Sequence, residues 1–260
     1  MINMFTVDEP NLSLAWSKAF VKAYDTTGNE ISPLVLNIRN DADGSLENLE
    51  IRRALDAALK NCGYQNVETV ANTIFPESLW RMSNGDRKRL FSLYKKCLPR
   101  LHKLEPQLNN RGLYFERLVA FGQEPNYVNQ LDFILDLNDS RKGVIRSKFQ
   151  ASIFDPARDH VRAARTGFPC LQHVSFVPNR TTSELSMNAF YATQLLFQKG
   201  YGNCMGLWRL GEFMAGEMGL RLSNLTCVVG VEMLGTTKTK VADLVETVRP
   251  FTAHQEAISN

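Results

Sequence analysis

The chain has 260 residues, 44% of them hydrophobic and 22% charged, which is enough apolar material for a sizeable core and excludes a disordered polyelectrolyte. Thirty Lys and Arg against 27 Asp and Glu leave a formal charge of +3, far from the dense basic stripe of a nucleic-acid binder and compatible with an anionic small molecule. The five cysteines (Cys62, Cys97, Cys170, Cys204 and Cys227) are scattered with no C-x-x-C pair, which excludes a disulfide scaffold and leads to the expectation of a reducing, cytoplasmic setting.

The opening stretch MINMFTVDEPNLSLAW has no basic region followed by an apolar run, and no segment is apolar for long enough to span a bilayer. Neither a secretory leader nor a membrane segment is expected. No repeat or low-complexity linker divides the chain, so one domain over 1–260 is expected. Residues 12–25 suit either a helix or a bulged strand, and 32–40 read as a strand. Residues 46–63 carry strong helical periodicity, with Leu49, Ile51, Leu55 and Leu59 near one face and Gly63 as the stop. Residues 66–76 are rich in β-branched side chains and end at Pro76. Residues 85–104 read as a basic amphipathic helix, bent or ended at Pro99, whose lysines and arginines form a solvated face.

The second half is patterned more sharply. A helix opens near Asn126 and carries VNQLDFILDLND. Residues 144–154 alternate as a strand, and 170–178 and 184–194 make two more across a turn at Asn179–Thr182. Residues 203–220 form a long apolar helix closed by Gly219, and 224–234 form another strand. Strands of mixed spacing with one very apolar helix predict an α+β fold, a sheet packed by helices.

Three separated signatures fall in one order. Arg111-Gly112-Leu113-Tyr114 is followed by Asn129-Gln130-Leu131 at a helix start and by Asp139-Ser140-Arg141-Lys142 before a strand. Phe168-Pro169-Cys170 then enters a strand. Leu185-Ser186 leads the next strand, and Gly200-Tyr201-Gly202-Asn203 opens the apolar helix. In this order and spacing the chain resembles thymidylate synthase and its pyrimidine hydroxymethylase relatives, most clearly over residues 110–235.

The chemistry of that family gives these residues a purpose. Alkylating C5 of a pyrimidine requires electron density that the ring does not supply. A thiolate adding at C6 turns the ring into an enolate-like nucleophile, which is covalent catalysis by an activated cysteine. The resemblance implies that Cys170 is this nucleophile; the bland alternative is a buried strand cysteine. It implies that Asn203 reads the pyrimidine edge, donating and accepting at once as uracil requires, while the alternative is a helix N-cap. Arg141 and Lys142 match a basic pair that reaches across a dimer to the substrate phosphate, or else they form an exposed pair at a turn. Tyr114 would contribute to the pocket wall. The implied one-carbon donor is 5,10-methylenetetrahydrofolate, with Glu68 and Trp80 as candidates for its side of the pocket; Glu68 alternatively reads as a solvated strand-edge group. The implied architecture is a thymidylate synthase-like mixed sheet packed by helices, paired sheet to sheet in a homodimer that takes a small nucleotide substrate, with no membrane, nucleic acid or metal involved.

The resemblance breaks at the sugar end. Ala192 stands where the family grips phosphate with arginine, and Leu195 where it has aspartate. The histidine and tyrosine that bond the sugar hydroxyl fall near Met233 and Gly235. A catalytically altered nucleotide-binding or regulatory module is therefore the second reading. A third, an enzyme of another class, has no dinucleotide, P-loop, zinc-helix or nucleophile-elbow motif behind it. His102, His160, His173 and His254 are unclustered, and His173 is expected on the sheet face opposite Cys170.

Overall fold

The computed structural model describes residues 4–41, 44–109, 112–122, 126–140, 145–162 and 168–253. Its first half runs β1 (Phe5–Glu9), α1 (Leu12–Asp25), β2 (Glu30–Ile31), β3 (Leu34–Arg39), α2 (Leu49–Asn61), α3 (Val67–Asn72), α4 (Glu77–Ser83) and α5 (Arg87–Leu104). There follow α6 (Pro106–Asn109), α7 (Tyr114–Val119), α8 (Gln130–Asp139), β4 (Gln150–Ser152), α9 (Pro156–Asp159) and β5 (Leu171–Asn179). The chain then passes through β6 (Glu184–Leu195), a π-helical turn (Leu196–Gly200), α10 (Tyr201–Glu217), β7 (Arg221–Met233) and α11 (Lys238–Ala253).

Local chemistry sets many of the helix starts. The side chains of Asn11, Asn48, Asn66, Asp86 and Asn129 each accept a hydrogen bond from a backbone N–H one turn into α1, α2, α3, α5 and α8. Residues 12–25 thus resolve as helix. Residues 66–76 begin with helix α3, because the Asn66 cap and the burial of Val67, Val70 and Ala71 outweigh the β-branched composition. Glu68 is accordingly a helix residue and not a strand edge. Leu49 is exposed, correcting its place in the apolar stripe: α2 buries Ile51, Leu55 and Leu59, and two residues before Ile51 lies on the far side of the helix. Pro99 sits inside α5 without ending it. The helix expected near Asn126 opens at Asn129, and of the described residues 145–154 only Gln150–Ser152 is strand, preceded by a 3₁₀ turn (Arg146–Lys148).

The strands form one mixed sheet in the order β1-β3-β7-β6-β5-β4, with β2 also pairing β7. β1 with β3 and β6 with β7 are parallel; the other pairings are antiparallel. Register aligns Val7, Leu36, Cys227, Ala189, Val174 and Ala151 across one face, all buried, and α1 and α10 pack on the sheet. The neighbouring row on the other face (Asp8, Asn37, Thr226, Asn188, Ser175 and Gln150) is polar and retains solvent exposure. One covered and one solvated face is the usual arrangement of a largely antiparallel sheet. The expected α+β architecture of helices on a mixed sheet is what the chain adopts. Among the described residues no helix is long and apolar enough to cross a membrane.

Helix α10 lies unusually close to α3. A Cβ added at Gly202 would fall 2.6 Å from Val70 Cβ, and one at Gly206 2.6 Å from the Ala71 carbonyl oxygen. These two glycines, one turn apart, let the α3 backbone seat directly on the first turns of α10, which fixes the place of Asn203 against α3.

Candidate active site around Cys170

A cavity of about 290 Å³ opens where the start of β5, the end of β6 and the start of α10 converge on α3 and α7. That is near the lower bound of the range for small-ligand sites and suits one compact molecule. Tyr114, Cys170 and Asn203, distant in sequence, all line it.

Cys170 sits just before β5. Its carbonyl accepts the Ala192 N–H at 3.0 Å, which ties it to β6, and its sulfur accepts a hydrogen bond from Thr193 Oγ1 at 3.8 Å. Cys204 and Cys227 are buried in the core; burial pushes the Cys204 thiol up to about 12 and raises Cys227 strongly. A thiol held in its protonated form is a poor nucleophile, so of the cysteines only Cys170 combines partial exposure with a place in the cavity.

Tyr114 is the first residue of α7, next to the Cys170 backbone. Burial raises its phenol, the neighbouring Cys170 sulfur raises it further, and the backbone of Leu171 and Cys170 partly offsets both. The helix it opens is anchored firmly. Phe115 N–H bonds the Thr73 carbonyl at 3.0 Å, and Arg117 makes a bidentate pair with Asp159 at 2.6 and 2.7 Å while also donating to the Ile153 carbonyl at 2.8 Å. Both partners are buried, and burial alone would raise Asp159. The Arg117 guanidinium and the Asp155 backbone N–H overcome that and hold the carboxyl below its ordinary range.

Asn203 is 4% exposed and lies within the first turn of α10. It does not cap that helix: the N-cap is Gly200, no side chain caps it, and the preceding π-turn runs straight into α10. The alternative role expected from sequence is thus removed. Arg141 and Lys142 lie outside the described residues, as does Arg111.

The residues expected on the folate side do not line this cavity. Glu68 is held in a bidentate pair by Arg209 at 2.7 and 2.9 Å, and Trp80 packs edge-on against Phe213 with centroids 4.9 Å apart. The set therefore does not fit a folate contact through these two residues. His173 bonds Gln150 Oε1 at 2.8 Å and shares a row with Phe190 and Val228 on the solvated sheet face, away from Cys170 as expected.

Several polar residues of the cavity wall were not singled out from sequence, Gln194, Lys199 and Gln65 among them. Gln194 is the penultimate residue of β6, Lys199 lies in the π-turn, and Gln65 precedes α3; Lys199 Nζ donates to Gln65 Oε1 at 2.8 Å. The available signal was a lone lysine inside the apolar run QLLFQKGYGNCMG. Gln194 pairs in register with Glu232 of β7; both are buried, and neither side chain has a hydrogen-bond partner among the described residues. An unsatisfied buried polar group costs about 1–3 kcal/mol, so such groups are worth explaining. Burial raises Glu232 well above the ordinary carboxyl range.

The sequence matches no protein-family model, and no curated protein is significantly similar to it.

Proposed function

We propose that this chain is a divergent thymidylate synthase-like enzyme that transfers a one-carbon unit to C5 of a uracil-type nucleotide through a Cys170 adduct. The observation that carries this reading is the convergence of Cys170, Asn203 and Tyr114 on one cavity sized for a single small ligand. In the proposed sequence the Cys170 thiolate would add at C6 and C5 would attack the one-carbon unit. Loss of the C5 proton and of the donor's amine would then leave an exocyclic methylene, and addition of water, or of hydride from the tetrahydrofolate (oxidised to dihydrofolate), to that carbon would expel the thiolate and restore the ring. The Asn203 carboxamide would pair with the O4 and N3–H edge of uracil, which offers one acceptor and one donor. The proposed donor, 5,10-methylenetetrahydrofolate, rests on the sequence resemblance, and no step is assigned to residues that would hold it. The proposed homodimer would join two solvated sheet faces, where Phe190 is 43% exposed beside Val228 and His173.

The test is a panel of uridine and cytidine nucleotides incubated with methylenetetrahydrofolate, with mass spectrometry of small molecules and protein, beside Cys170→Ala. A one-carbon mass gain on one nucleotide that disappears in the variant supports the enzyme.

A second reading, a nucleotide-binding module that no longer reacts, draws on Ala192 and Leu195, which bring no charge to the place where the resemblance expects a phosphate grip. It predicts saturable nucleotide binding without consumption, and unchanged affinity in Cys170→Ser.

A further inference from the structure

Among the described side chains that line the Cys170 cavity, Lys199 is the one that carries a charge. An ammonium has three donors, and Gln65 Oε1 takes one of Lys199's at 2.8 Å. Glu105 influences the lysine electrostatically from beyond ion-pair distance, and burial holds the amine below its ordinary range in spite of it. Gln194 stands on the same wall, 2% exposed, with neither carboxamide atom hydrogen-bonded among the described residues. The two are brought together by the π-turn, a wide turn that recurs at functional sites and here returns the chain to the cavity within five residues of Gln194.

We propose that Lys199, Gln65 and Gln194 form an oxyanion subsite of this cavity, receiving the phosphate or carboxylate end of the molecule it binds. Lys199 supplies the charge, Gln65 fixes the ammonium, and the free Gln194 N–H groups complete the contact. A cavity with a half-buried cation and no lining carboxylate is electrostatically unbalanced when empty of an anion, and a charge-assisted hydrogen bond corrects that. The inference rests on the Cys170 cavity being a ligand site, as in the proposed function, and does not depend on pyrimidine chemistry.

Acetic anhydride, a neutral reagent, provides the test. It is applied to the intact protein at constant ionic strength, and peptide mass spectrometry compares acetylation of Lys199 with that of exposed Lys88. Inorganic phosphate or acetate is expected to slow modification of Lys199 about threefold or more near saturation while leaving Lys88 unchanged. The stronger protector identifies a phosphate or a carboxylate end. Gln194→Leu should raise the half-protecting concentration about tenfold. Where that variant does not fold, Gln194→Glu should abolish protection by repelling the anion.

Absence of protection by both anions, or equal protection by chloride, overturns the subsite. Unchanged protection in the folded Gln194 variants does so too. Uridine 5′-monophosphate protecting better than uridine would join the subsite to the proposed substrate. Protection by phosphate but by neither uridine nor its monophosphate would keep the subsite and remove the pyrimidine reading.

Discussion

The hydroxyl of Thr193 donates to the sulfur of Cys170 across 3.8 Å, linking the end of β6 to the residue just before β5. A hydroxyl donor stabilises a thiolate more than a thiol. Thr193→Val keeps the shape and removes the donor, so alkylation of Cys170 by iodoacetamide at neutral pH should slow roughly threefold to tenfold, the equivalent of one net hydrogen bond. Peptide mapping of the alkylated sites, with circular dichroism to check the fold, measures this. An unchanged rate would mean that Thr193 plays no part in activating the sulfur.

Glu232 links stability to pH. Its folded-state pKa lies well above the unfolded value, so the protonated form is favoured in the fold. Stability is then fully present below about pH 4.5 and is lost as pH rises from there toward the folded pKa. Glu232→Gln cannot ionise and escapes this loss. Its melting temperature should exceed that of wild type at pH 8 and the gain should shrink toward pH 4.5, at about 2–4 °C per kcal/mol recovered. Thermal melts of both proteins across that range would reveal a pH-independent difference if the reasoning is wrong.

The Arg117–Asp159 pair holds α7, and with it Tyr114, against α9, and Arg117 also donates to the carbonyl of Ile153 just after β4. Arg117→Met leaves a buried carboxylate without its partner and should cost roughly 3–5 kcal/mol at pH 7. Asp159 has its folded pKa lowered, so the stability it contributes is present above the unfolded value and lost as pH falls through the folded one. The gap between variant and wild type should therefore narrow below about pH 4. Denaturant unfolding at pH 7 and at pH 3.5 tests both the size and the direction.

The proposed dimer is open to a simple disruption. Phe190→Lys places a charge in the centre of the solvated sheet face, at a position already exposed in the single chain. Light scattering should show a dimer for wild type and a monomer for the variant, with the melting temperature little altered. A monomeric wild type removes the sheet-to-sheet pairing.

The legibility of this fold in its sequence varied with the kind of force at work. Helix α10 and strands β5 to β7 stood out because runs of buried side chains with the right period leave little alternative, and Gly219, at φ 68°, closes α10 as its position suggested. Helix α3 did not, because its composition argues for strand and only the Asn66 cap and the glycine contacts with α10 decide otherwise. Sheet order joins residues that no local pattern connects. At the site, Cys170, Asn203 and Tyr114 were named through a family resemblance, and they do share one cavity. Gln194, Lys199 and Glu232 were passed over because a buried polar side chain in an apolar run looks like any other solvated residue until its neighbours are known.

The most direct measurement is the fate of the hydrogen at C5. Uridine 5′-monophosphate and its deoxy form, labelled with tritium at C5, are incubated with the protein with and without methylenetetrahydrofolate, and tritium released to water is counted. Addition of Cys170 at C6 and bond formation at C5 predict release that depends on the donor and is abolished in Cys170→Ala. Release that persists in Cys170→Ala, or transfer of the carbon unit to the nucleotide with the C5 label retained, would contradict the mechanism.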